Sequence, residues 1–179
     1  MRIRTAVVVL AAAVALALTG CSSSSSDSKA PDEPGITATK AAARTVDAAA
    51  IVGQLRAAVP TVSTTVEYTA TTDPNGKLGR PHQYTSKVQF ADSRIDQAKA
   101  KDASNGDKTD IAYGGTVEVF AAEADAKAWV AYVDKIGQAI GGLVTPDYLL
   151  RQGRYVIRAS HLLTPDQVGQ YKAVLAKVS

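Results

Sequence analysis

From about residue 46 onward, apolar positions recur with two distinct periods, one near 3.6 residues and one of 2, which mark helices and strands respectively. Asp47 stands where a cap is needed, Ile51, Leu55 and Val59 follow at helical spacing, and Pro60 stops the run, so a helix is expected over 48–58. Val62, Thr64, Val66 and Tyr68 then alternate with Ser63, Thr65, Glu67 and Thr69. Tyr84, Ser86, Val88 and Phe90 alternate with Thr85, Lys87 and Gln89 in the same manner, which turns Lys87 outward. Both segments read as strands with one wet face, the pattern of an antiparallel sheet covered on one side.

The stretch 91–115 is polar and reads as a long loop, followed by a short strand at Thr116–Phe120 with Val117 and Val119 on one face. Helical spacing returns from Ala122 to about Gly137, with Ala126, Trp129, Val133 and Ile136 as the apolar stripe. A fourth strand is expected at Arg154–Ser160, with a short pairing segment ahead of it around Tyr148–Arg151. Thr164, Pro165 and Gln167 form a capping box with proline at the first helical position, and Leu163 can staple onto Val168. The order is α-β-β-β-α-β-α. Helices interrupting antiparallel strands give an α+β fold, expected as a four-stranded antiparallel sheet with helices packed on one face.

The N-terminal region follows neither period. A basic start (Arg2, Arg4), an apolar run from Ala6 to Leu18 and the tetrapeptide Leu18-Thr19-Gly20-Cys21 follow in order, the layout of a secretory signal. The run is shorter than the ~20 residues a spanning helix needs. The tetrapeptide resembles the bacterial lipobox, which implies cleavage after residue 20 and diacylglycerol on Cys21. Two acyl chains anchor stably where one binds reversibly. Residues 21–45, with Ser22–Ser26 and then Asp27, Pro31, Asp32, Glu33, Pro34 and Gly35, lack the apolar area to offset ordering entropy and read as a flexible tether of ~27 Å. Three segments are therefore expected: a signal at 1–20, a lipidated tether at 21–45, and one α+β domain at 46–179 on the outer face of a cell membrane.

Loss of residues 1–20 takes Arg2 and Arg4 with it, so the net charge of +3 falls to +1. No basic run or aromatic-interleaved basic stripe remains, which argues against a nucleic-acid partner. Cys21 is the only cysteine, so no internal disulfide can form and no nucleophilic thiol is left once it is acylated.

Asp73-Pro74-Asn75, Leu78-Gly79-Arg80-Pro81, Tyr84-Thr85-Ser86-Lys87, Phe90, Asp92, Gly114-Gly115 before Glu118-Val119-Phe120, Tyr148, Arg158 and Leu163-Thr164-Pro165 together resemble an uncharacterised family of actinobacterial and firmicute surface lipoproteins. The resemblance covers residues 47–178, departs from the pattern near Leu149–Val156, and implies an extracytoplasmic lipoprotein without implying an activity.

Catalytic signatures are sparse. The two histidines, His82 and His161, accompany no Gly-x-Ser-x-Gly turn and no His-Glu-x-x-His spacing. Asp102, Asp107 and Asp110 share one polar loop but miss the EF-hand spacing, so a solvated loop is preferred over calcium, and neither a metal nor a cofactor is expected. Gly114-Gly115 and Gly141-Gly142 lack the partners of a phosphate cradle. The long connection Thr72–Gln83 is the expected functional loop, and Arg80, His82, Tyr84 and Lys87 are the candidate binding residues. Two functions follow: a non-catalytic envelope module binding a protein, polymer or small ligand, or an envelope hydrolase using a carboxylate pair such as Glu67 with Asp73 or Asp92.

Overall fold

The first helix, α1 (Ala48–Ala58), begins where Asp47 accepts the Ala50 amide at 2.8 Å and buries Ile51, Val52 and Leu55, the residues its spacing marks. In the computed structural model, which describes residues 46–139 and 145–179, four more helical segments and five strands follow. The strands are β1 (Val62–Glu67), β2 (Tyr84–Asp92), β3 (Gly114–Phe120), β4 (Tyr148–Gln152) and β5 (Tyr155–Ala159). They form one antiparallel sheet in the order β1-β2-β3-β5-β4. The signal, lipobox, tether and Gly141-Gly142 readings lie outside the described residues. Those residues belong to a unit spanning Ala42–Ser179, and among them no helix is long and apolar enough to cross a membrane.

The class is α+β with an antiparallel sheet, as the patterning indicates, but the sheet has five strands rather than four. The pairing segment ahead of β5 is a full edge strand, joined to it through Gly153 at φ 53°, the positive φ that a two-residue hairpin turn requires. The polar stretch 91–115 is also not a plain loop. It contains the end of β2, a two-turn helix α2 (Gln97–Ala103) capped by Asp96, and a 3-10 turn (Ile111–Tyr113) capped by Asp110. Only Ala100 of α2 is buried, so no apolar stripe announces it.

Helices α1 and α4 (Pro165–Leu175) pack on one face of the sheet, over Val88, Phe90, Val117, Val119, Ile157 and Leu150. The capping box of α4 is present, with Thr164 N donating to Gln167 Oε1 at 2.8 Å and Gln167 N to Thr164 Oγ1 at 3.3 Å, and Leu163 and Val168 are both buried. Helix α3 (Glu123–Ala139) lies on the opposite face. There Tyr84, Phe120, Ala126, Trp129 and Val156 make a second, smaller apolar cluster. Both faces are thus covered in part, and every residue of β3 is buried. Within α3 the stripe ends early: Ala126 and Trp129 are buried, whereas Ile136 is 44% exposed.

Two register shifts alter which side chains share a face. Pairing of β1 with β2 slips between Thr64 and Val66, and pairing of β2 with β3 slips between Tyr84 and Ser86. Each inserts one residue, and one residue is enough to move a side chain to the other side of a pleated sheet. Val62 and Phe90 consequently face α1 and α4, while Tyr68 and Tyr84 face away from them despite sharing the parity of the core residues.

Candidate functional site

The second face of the sheet carries a row of polar side chains set by register. Gln89 stands opposite Thr116 and Thr116 opposite Arg158; one row along, Lys87 stands opposite Glu118. These positions alternate with the apolar residues under α1 and α4, so the polar set is the reverse side of the core strands. Lys87 is 4% exposed and Glu118 1%, so these charges are buried in the centre of the sheet.

Asp73, from the connection between β1 and β2, organises one end of this row. Its Oδ2 accepts from the Lys77 amide at 2.8 Å, the Leu78 amide at 3.1 Å and the Tyr84 hydroxyl at 2.7 Å, and its Oδ1 accepts from Lys87 Nζ at 2.9 Å. The Lys87 ammonium also lies 4.8 Å from the Tyr68 ring centre and 5.3 Å from that of Tyr84. Burial opposes ionisation of Asp73, but the bonds from Tyr84, Lys87 and the Lys77 amide, with the Lys87 charge, outweigh it and hold its pKa at about 2. Burial and the bond to Asp73 push the Tyr84 hydroxyl upward, so this end of the site is a fixed ion pair under two neutral phenols.

The other end is less complete. Glu118 Oε2 accepts from Trp129 Nε1 at 2.5 Å, while Oε1 has no hydrogen-bond partner among the described residues. Burial raises the Glu118 pKa, against the lowering charges of Arg158 and Lys87 and the Trp129 bond. Arg158 donates through one terminal nitrogen to Asp147 Oδ2 at 3.1 Å, yet its buried Nε has no partner among the described residues, nor does the hydroxyl of Thr116. Thr116, Glu118 and Arg158 line one cavity of about 310 Å³, together with Lys87, Gln89, Tyr68 and Asp147 and with Asp107, Thr109 and Asp110 from the connection before β3. Gln89 is bonded at both polar atoms, accepting from the Tyr68 hydroxyl at 2.6 Å and donating to the Asp110 carbonyl at 2.9 Å. Buried polar groups in proteins are nearly always paired, so three orphans around one cavity set this place apart.

Gly114-Gly115 serves this geometry through close strand approach. A Cβ at Gly115 would collide with the Arg158 carbonyl oxygen and the Phe90 ring, so glycine lets β3 and β5 approach where Thr116 meets Arg158.

The candidate binding residues divide. Tyr84 and Lys87 belong to the buried network, and the expectation of an outward Lys87 is corrected: the sheet face it occupies is covered, and Asp73 compensates its charge. Arg80 and His82 are exposed on the connecting loop, with His82 Nδ1 3.0 Å from Asp125 Oδ1 and its side chain 84% exposed. The loop is anchored by Asp73 and does not bring Arg80 or His82 into the cavity. The carboxylate pair is not assembled either. Asp92 points toward α4, where it accepts from Tyr171 and Arg94, so it and Asp73 serve opposite faces; Glu67 is exposed on an edge strand. Burial notwithstanding, the Arg94 and Tyr171 bonds hold Asp92 below the usual carboxylate range, the reverse of what a general acid needs.

Among the described residues no group of three His, Cys, Asp or Glu side chains is placed to hold a metal ion. The loop aspartates have local duties: Asp107 accepts the Thr109 amide and hydroxyl, and Asp110 caps the 3-10 turn.

Glu118 and Thr116 were the residues that sequence patterning passed over. The signal was available, since a glutamate between two valines in a short apolar strand has its side chain opposite theirs. Covering of that opposite face, by Trp129 of α3 beside Glu118 and by the connection before β3 beside Thr116, is what turns the alternation into burial. No profile of a known family, no curated protein and no solved structure matches this chain.

Proposed function

We propose that this chain is a lipid-anchored extracytoplasmic module that binds a small polar ligand or the end of an envelope polymer in the cavity behind β3, without catalysing a reaction on it. The observation that supports the reading is a cavity lined by Thr116, Glu118 and Arg158, side chains whose buried Oγ1, Oε1 and Nε have no partner among the described residues. Leaving a buried polar atom unpaired costs about 1–3 kcal/mol, a cost that a ligand removes where these side chains turn toward it. A binding role is preferred to an envelope hydrolase because Asp73 and Asp92 are both held ionised by their partners on opposite faces.

Anchoring through Cys21, with the domain held clear of lipid by the tether, is the second half of the proposal. Metabolic labelling with a fatty-acid probe tests it: wild type should be labelled and Cys21→Ala should not, and an unlabelled wild type removes the anchor from the reading. For the cavity, the detergent-extracted full chain is melted with a low-molecular-weight filtrate of envelope digest. Its Tm should rise, and the rise should vanish in Arg158→Ala; an unchanged wild-type Tm removes the cavity from the reading.

A further inference from the structure

We propose that the free edge of β4 is a dimerisation surface, on which a second copy of this chain pairs its own β4 antiparallel about Leu149. β4 ends the sheet, and among the described residues the one strand beside it is β5. Helix α4 reaches one face of β4 and α3 the other, while Tyr148, Leu149 and Leu150 all stay half-buried beside the open edge. An unpaired strand edge is a template for another strand unless it is blunted. The opposite edge is blunted: β1 carries the slip between Thr64 and Val66 and exposes Ser63, Thr64 and Thr65. β4 has neither proline nor bulge, and its register against β5 is unbroken from Tyr148 to Gln152.

Bonds within the sheet fix which backbone groups face outward. Phe120 N donates to the Arg154 carbonyl at 3.0 Å and Ser160 N to the Gly114 carbonyl at 2.9 Å, so even-numbered residues of β5 bond toward β3 and odd-numbered ones toward β4. Tyr155, Ile157 and Ala159 stand opposite Gln152, Leu150 and Tyr148, which by alternation leaves Asp147, Leu149 and Arg151 with N–H and C=O toward the open side. Two copies related by a two-fold axis must set these outward residues against one another. A pairing centred on Arg151 puts like charges together, and one centred on Leu150 sets Arg151 against leucine. Centred on Leu149, it sets Arg151 opposite Asp147 twice over, with Tyr148 opposite Leu150 on the other face. Both charges have capacity for this. Arg151 uses one terminal nitrogen, on Glu123 and the Gly153 carbonyl, and Asp147 Oδ1 has a single contact, His161 at 3.4 Å. The strand is five residues long, well below the ~20–30 a side of a standard interface, so the dimer is weak and forms with concentration.

Oxidative crosslinking and sedimentation equilibrium of the full chain, purified in density-matched detergent, test this. Leu149→Cys meets its own copy at ~5.5 Å between Cα atoms, inside the ~4.4–6.8 Å of a disulfide, and should crosslink to a dimer. Arg151→Cys, ~13 Å from its copy at the usual strand rise, and Thr64→Cys, on the other edge, should not. Wild type, whose only cysteine is Cys21, sets the background. Between about 1 µM and about 500 µM wild type should pass from monomer to dimer. Leu149→Pro removes an outward N–H and no bond to β5, and Arg151→Asp sets acid against Asp147; each should weaken the dimer about tenfold. Adding Asp147→Arg to Arg151→Asp should restore it. Melting curves check that each variant is folded, and if Leu149→Pro is not, Arg151→Asp and the crosslinks decide. The proposal is overturned if wild type stays monomeric throughout, if Arg151→Cys or Thr64→Cys crosslinks as readily as Leu149→Cys, or if every folded variant dimerises like wild type. A Leu149→Cys chain that crosslinks in intact cells only to a different protein overturns it too, and gives the edge to that protein's strand.

Discussion

Replacing Thr116 by valine tests whether the cavity is a polar site maintained at a cost. The hydroxyl is buried, has no hydrogen-bond partner among the described residues, and sits at the centre of the sheet between Gln89 and Arg158. Valine keeps the shape and the β-branch and exchanges the oxygen for a methyl. An unpaired buried hydroxyl costs about 1–3 kcal/mol. Part of that cost is met by small relaxations of the neighbouring strands, so a gain of about 1 kcal/mol is expected at the lower end of the range. For a domain of this size that is roughly 3–5 °C in Tm. Urea unfolding followed by tryptophan fluorescence measures it, with the midpoint rising at constant slope. Thr64→Val, at an exposed position of β1, controls for strand propensity and should stay within about 0.5 kcal/mol. A Thr116→Val protein less stable than wild type would refute the reasoning, since it would mean that the hydroxyl is already bonded. A stabilised variant that also loses ligand would show stability exchanged for function at one atom.

Lys87→Ala should cost about 3–5 kcal/mol because it strands Asp73, whereas Arg80→Ala, on the exposed loop, should change stability by less than about 0.5 kcal/mol; chemical unfolding of both separates network from surface. Acid unfolding reports on Asp73, whose pKa falls from 3.8 to about 2 on folding, so its stabilising contribution is full above 3.8 and is lost as pH falls through about 2. That contribution is on the order of 2 kcal/mol, and Asp73→Asn should lack this part of the acid loss; an identical acid profile would contradict it. Trp129→Ala should cost about 3–5 kcal/mol, since the ring packs on Tyr84 at 5.6 Å and bonds Glu118, and an unchanged melting temperature would count against this packing.

Local structure was legible where its causes are local. Asp47 and the Thr164-Pro165-Gln167 box fix the starts of α1 and α4 through bonds spanning three residues, and alternation marks β2 and β3 because each residue's side follows from its neighbour's. The α+β class follows from that order of elements. Tertiary structure decided what has no local cause. The shifts at Thr64/Val66 and Tyr84/Ser86 are set by how two strands share their bonds, so the parity that places Val88 in the core does not place Tyr84 there. Lys87 and Glu118 look like ordinary outward charges until Trp129 of α3 bonds Glu118 and Tyr68, Tyr84 and Asp73 close on Lys87, Asp73, fourteen residues before it, supplying a counter-charge. The candidate site is thus written in residues the sequence displays openly. Their burial exists only once five strands and a helix from distant parts of the chain have come together.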